Sequence, residues 1–102
     1  MNMFISKEEW LDKNKRKSDM ENSLLERTYT TLMGNVYDKD GYRWSPYRCI
    51  TPGKGSFTGI WNWDTAFHSI GVSRWDTDLA KDGILGFTQF QDEKGKFPDI
   101  IW

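Results

Sequence analysis

Between residues 19 and 33 the apolar positions Leu24, Leu25, Leu32 and Met33, with Thr28 and Tyr29 beside them, recur at helical spacing. That period predicts an amphipathic helix whose apolar stripe packs on a neighbouring helix, and Gly34 is placed to stop it in a left-handed turn. Glu21, Glu26 and Arg27 fall on its solvent side. Upstream, Ser6 followed by Glu9 has capping-box spacing and predicts a short helix from about Lys7 carrying Trp10 and Leu11. The basic run Lys13-Asn14-Lys15-Arg16-Lys17 has acidic residues on both sides and reads as a solvated helix end or linker. Residues 1–18 are therefore an N-terminal helix with a charged linker, and residues 19–102 the main unit.

After Gly34 the pattern changes. Asn35-Val36-Tyr37 and Tyr42-Arg43-Trp44 flank Asp38-Lys39-Asp40-Gly41, the turn chemistry of a short β-hairpin with Gly41 left-handed. Residues 45–59 contain Pro46, Pro52, Gly53 and Gly55 and read as a long loop, a length that in compact domains usually carries function. Helical periodicity returns with Ala66, Phe67, Ile70 and Gly71 behind an N-capping Asp64, to about Ser73. Asp76 caps a further helix through Leu79, Ala80, Gly83, Ile84, Phe87 and Phe90, to about Gln91. Gly83 and Gly86 each weaken it by about 1 kcal/mol relative to Ala, while small residues permit close helix packing. Lys94-Gly95-Lys96 turns the chain into an apolar extended tail, residues 97–102.

The candidate chemistry lies in Gly59-Ile60-Trp61-Asn62-Trp63-Asp64-Thr65-Ala66-Phe67-His68. In an extended arm residues i and i+2 point to the same side, so Trp61 and Trp63 predict one aromatic wall ending at a helix start. Such a wall suits a sugar. The C–H face of a pyranose lies against an indole, and an ionised carboxylate accepts from neighbouring hydroxyls. The same residues also fit a plain arrangement of core rings and a helix cap.

Six Trp, six Phe and four Tyr are many for 102 residues. A domain this small buries about two-thirds of its unfolded surface, so some rings line a groove or face other protein. The net charge of −1 and a pI near 5.8 lack the basic excess of a nucleic-acid binder. Cys49 is the single cysteine and excludes an internal disulfide. The first residues have neither a basic nor an apolar leader region and no window approaches a membrane span, so a cytoplasmic protein without membrane contact is expected. A precursor cut upstream of Met1 would read the same. His68, the only histidine, fits a packed or capping role, and no second ligand is spaced to join it, so neither metal nor cofactor is expected.

Trp61-Asn62-Trp63-Asp64-Thr65-Ala66-Phe67, supported by Gly95-Lys96-Phe97-Pro98, resembles the start of the trehalase-like and mannosylglycerate-hydrolase-like glycoside hydrolases, related to the processing α-glucosidases. The likeness is strongest over residues 57–102 and weak before Gly34. It implies a mainly α fold: an incomplete portion of a six-hairpin (α/α) toroid, here with a short β-hairpin and a long loop. It also implies that Asp64 accepts sugar hydroxyls, that Trp61, Trp63 and Phe57 wall the ring, and that an oligosaccharide or glucoside is the substrate. The family inverts at the anomeric carbon with an acid and a base about 6.5–9.5 Å apart. Both come from hairpins downstream of the matched segment, so this chain holds no catalytic residue and its partner is the remainder of the catalytic domain. Asp99 departs from relatives that carry a different polar residue after the proline. A complete carboxylate pair of Asp64 with Asp76, Asp78 or Glu93 is a weaker reading, since Asp76 and Asp78 stand where helix N-termini favour acids anyway. Two other classes stay open: a non-catalytic carbohydrate-binding module, and a helical interaction protein whose rings are core.

Overall fold

The computed structural model describes residues 3–38, 46–57 and 59–102. Ser6 starts the first helix: its hydroxyl accepts from the Glu9 backbone N–H at 3.1 Å, and α1 runs Lys7–Lys13. Only half of the capping box forms, because the Glu9 carboxylate pairs instead with Lys13 Nζ at 3.3 Å, one turn on.

Helix α2 spans Asp19–Gly34, with Ser18 as its N-cap. Gly34 is its last helical residue, a correction to the expected left-handed stop. Asn35 does the work instead. Its Nδ2 donates to Thr31 O at 2.9 Å and its backbone N–H to Leu32 O at 3.2 Å, so the terminal carbonyls are satisfied without a positive φ. Asn35 Oδ1 also accepts from Lys54 N at 2.8 Å, tying the helix end to the turn that follows Pro52.

Strand β1, Val36–Tyr37, pairs antiparallel with β2, Cys49–Ile50, in the register Val36 to Ile50 and Tyr37 to Cys49. The expected partner strand, residues 42–44, and most of its turn lie outside the described residues. The span read as a loop therefore contains a strand, and Cys49, Ile50 and Thr51 are buried. Thr51 Oγ1 fixes the returning chain by donating toward Phe57 O and Gly59 O at 3.1 and 3.2 Å.

Strand β3, Ile60–Trp61, leads directly into α3, Asn62–Val72; residues 73–76 then join it to α4, Thr77–Thr88. Asp76 caps α4, its carboxylate accepting from Leu79 N at 3.0 Å. The short connection makes α3 and α4 an antiparallel helical hairpin. Gly83 sits at their closest approach: a Cβ there would lie 2.8 Å from Ser69 Oγ and 3.4 Å from Thr65 Cγ2. Gly86 faces open space, so only one of the two helix glycines serves packing. Beyond α4, Asp92 Oδ1 accepts from Lys94 N and Lys96 N at 2.8 and 2.9 Å, and Gly95 takes φ 90°. The tail then returns as β4, Ile100–Ile101, antiparallel to β3, pairing Ile60 with Ile101 and Trp61 with Ile100.

The chain is thus mainly helical, with two small two-stranded sheets among the described residues. One apolar cluster gathers Trp10, Ile50, Val72, Trp75, Leu79 and Ala80, with Leu25, Tyr29, Leu32 and Met33 from α2 against it. The Trp75 ring meets Trp10 edge-on at 4.8 Å and Tyr29 at 4.6 Å, and its Nε1 donates to Met33 Sδ at 3.2 Å. A second cluster joins Cys49, Ile60, Phe87 and Ile101, and so packs both sheets on α4. Arg48 bolts β2 to that helix, with Nε 2.9 Å from Asp82 and one terminal nitrogen 3.4 Å from the capping Asp76. Burial opposes its charge, but the hydrogen bond to Asp82 and the fields of both carboxylates hold the guanidinium pKa above its ordinary value. Among the described residues no helix is long and apolar enough to cross a membrane.

Candidate functional site

Trp61 is the residue from which the site is built. As part of β3 it pairs with Ile100, and as the N-cap of α3 it is extended, at φ −97° and ψ 141°. No side chain caps this helix. The first helical amide, Asn62 N–H, instead donates to Asp99 O at 2.9 Å, and Asn62 Nδ2 donates to Pro98 O at 3.0 Å. The returning tail thereby replaces the cap, which corrects the assignment of that role to Asp64. Asp64 is the third residue of the helix, where its charge meets the positive end of the helix dipole.

That early helix start also separates the two indoles. Trp61 has Phe57 and Trp102 as ring neighbours, each 5.6 Å away and edge-on at 89° and 73°. Trp63, on the helix, pairs with Phe67 at 6.2 Å. The expected single wall is therefore two aromatic faces. A trough of about 450 Å³ is lined by Trp61, Asn62, Trp63, Asp99 and Ile100. That volume is within the range of small-ligand sites, about 300–1,000 Å³. Trp63 is 72% exposed and Phe57 48%, so both present ring surface to solvent.

The acidic residue among those lining the trough is Asp99, whose backbone is fixed by the two Asn62 hydrogen bonds to its own and the preceding carbonyl. Asp64 is not one of the lining residues; it is half-buried and lies one helical turn before His68. Burial pushes the His68 pKa below its ordinary value, against the opposing field of Asp64 and a backbone hydrogen bond with Ile50. Its Nδ1 is buried without a hydrogen-bond partner, as is Thr65 Oγ1 one turn earlier. His68 is thus a packed, neutral ring near pH 7. Among the described residues no cluster of three or more His, Cys, Asp or Glu side chains could hold a metal ion.

Sequence reasoning left Asn62, Asp99 and Trp102 without a role in the site. Trp102 is placed by the register of β3 with β4, which no local sequence pattern announces. Ile60 and Ile101 are buried on one side of the β3–β4 ladder, which leaves Trp61, Ile100 and Trp102 for the other. Gly59 completes it, since a Cβ there would stand 3.1 Å from Trp102 Cε3. Comparison with protein-family models, curated proteins and solved structures returned no match for this chain.

Proposed function

We propose that this chain is the sugar-binding portion of an inverting α-glycosidase, with α3 and α4 as one hairpin of an (α/α) toroid whose further hairpins supply the acid and base. The observation that carries the reading is a trough whose lining combines two tryptophans, Trp61 and Trp63, with Asn62 and Asp99. A pyranose needs that combination: ring faces for its C–H surface and fixed acceptors and donors for its rim. Asp64, in the first turn of α3, is proposed as a further hydroxyl acceptor. Asp99 is the one carboxylic acid among the described residues that line the trough, and inversion uses an acid and a base, so in this reading the further hairpins supply that pair. The same observation favours, as a second reading, a carbohydrate-binding module with no catalytic partner.

The test is an NMR titration of the chain with glucose, mannose and galactose, repeated for Trp63→Ala, Asp64→Asn and Asp99→Asn. Trp63→Ala should abolish binding. Loss of a hydrogen bond to a charged group is worth about 1.5–3 kcal/mol, so each Asp→Asn variant should bind roughly 10- to 150-fold more weakly at an unchanged thermal midpoint. Full affinity in Asp64→Asn would remove Asp64 from the site. Absence of binding to every sugar by the unmodified chain would sink the reading altogether.

A further inference from the structure

Helix α3 is amphipathic with its faces exchanged. Toward α4 it presents the small polar residues Thr65 and Ser69, both buried and packed around Gly83. Its large apolar residues point the other way: Trp63, Phe67 and Ile70 are 72%, 67% and 63% exposed. With Arg74, exposed just past the helix end, they hold positions i, i+4, i+7 and i+11 of one stripe about three turns long. The stripe is a packing surface that the chain's own helix pair does not use. Charge at its two ends selects what fits it. Trp63 with Asp64 beside it stands at the N-terminal end and Arg74 at the other, and among the described residues neither charged group makes an ion pair. The face is thus complementary to itself when turned end over end.

We infer that α3 is the seam of a closed homodimer in which two copies of this chain pack antiparallel through Trp63, Phe67, Ile70 and Arg74. A two-fold axis midway between Phe67 and Ile70 sets Phe67 of each copy against Ile70 of the other. The same operation brings Arg74 of each copy to Trp63 and Asp64 of the other, where a guanidinium can lie on the indole and pair with the carboxylate together. A parallel seam would instead oppose Arg74 to Arg74 and Asp64 to Asp64. The groove between α3 and α4, about 430 Å³, is lined in part by Ala66, Ile70, Ala80 and Ile84, and so opens beside the position where Phe67 of the second copy arrives. Because each contact occurs twice, the pairing closes at two copies and leaves no unmatched stripe to extend it. The inference is independent of the sugar-binding reading.

The experiment is sedimentation velocity over a concentration series on the unmodified chain, Arg74→Glu, Asp64→Lys and an equimolar mixture of the two variants. The unmodified chain should show monomer and dimer only. Each variant alone places like charges together at both ends of the seam and should dimerise about tenfold more weakly or worse. In the mixture a mixed dimer has one native pair and one reversed pair, so dimerisation should return to near the native level. An isotope-filtered NOE experiment on mixed labelled and unlabelled native chains reads the register without any substitution, and should connect the Phe67 ring of one copy to the Ile70 methyl groups of the other. A native chain that stays monomeric overturns the inference and leaves the stripe to other protein. An open series of larger species overturns closure, and a mixture no better than either variant overturns the antiparallel register. A dimer without the Phe67 to Ile70 cross-peaks overturns the seam even if a variant fails to fold. None of these outcomes alters sugar binding at the trough, which the titrations above decide.

Discussion

At the scale of single residues, Cys49 shows how burial converts into a measurable property. Its thiol is enclosed between Ile60, Phe87 and Ile101, and burial pushes its pKa from 9.0 up to about 12, against a weaker opposing field from Lys54. The folded chain therefore holds this proton where the unfolded chain releases it. The resulting stability is fully present below about pH 9 and is lost as pH rises toward about 12. Its steepest slope is about 1.4 kcal/mol per pH unit. Urea unfolding at a series of alkaline pH values should show a steeper decline for the native chain than for Cys49→Ala. Parallel declines would show that the thiol is not held protonated. The sequence placed Cys49 inside a long loop; its burial was signalled only by the apolar pair Cys49-Ile50, too short for a period to be recognised.

At the scale of elements, α1 and α4 were legible because they begin at Ser6 and Asp76, whose side-chain oxygens take up a free backbone N–H, and α2 because of its apolar period, its Ser18 cap going unread. The start of α3 was misread because its first amide is satisfied by Asp99, far along the chain, and no local pattern encodes that partner. The same limit applies to both sheets, whose two-residue strands are too short for alternation to show. The helix glycines give a test of the packing itself. Gly83→Ala would force a methyl to 2.8 Å from Ser69 Oγ, with a cost of about 1–3 kcal/mol from overpacking. Gly86→Ala meets nothing within 4 Å and gains about 1 kcal/mol of helix propensity. Thermal melts of the two variants should thus move in opposite directions. A Gly83→Ala chain as stable as the native one would mean that α3 and α4 do not approach as described.

At the scale of the whole molecule, apolar surface remains uncovered. On the α3–α4 hairpin Trp63, Phe67, Ile70 and Ile84 are more than half exposed, and a groove lined by Ala66, Ile70, Ala80 and Ile84 runs between the two helices. The Cα radius of gyration, 14.7 Å, exceeds the roughly 13 Å of a compact domain of about 100 residues. Uncovered patches beyond a few hundred Å² promote association. Sedimentation velocity should therefore show concentration-dependent association of the isolated chain, reduced by Phe67→Glu with Ile84→Lys. A strictly monodisperse monomer with a sharp thermal transition would count against a face meant for further protein. The abundance of rings foretold that some would stay outside the core. It did not tell which ones: Trp10 and Trp75 are buried, while Trp63 and Trp102 are open.

The β3–β4 ladder gives the trough a conditional existence. Trp61 and Asn62 stand at one end of the hairpin and Asp99 and Ile100 arrive from the other, so the site is assembled only while the ladder is closed. The ladder is two residues long, extended by the Asn62 to Asp99 hydrogen bond, and sections of this kind open locally at a fraction of the global unfolding free energy. Each opening removes one wall and the carboxylate together. The observed affinity for any ligand of the trough is then its intrinsic affinity multiplied by the closed fraction. Bound ligand must by the same linkage hold the tail down. Recognition and the docking of residues 98–102 are in this sense one equilibrium, and a substitution that loosens the tail weakens binding without touching the ligand.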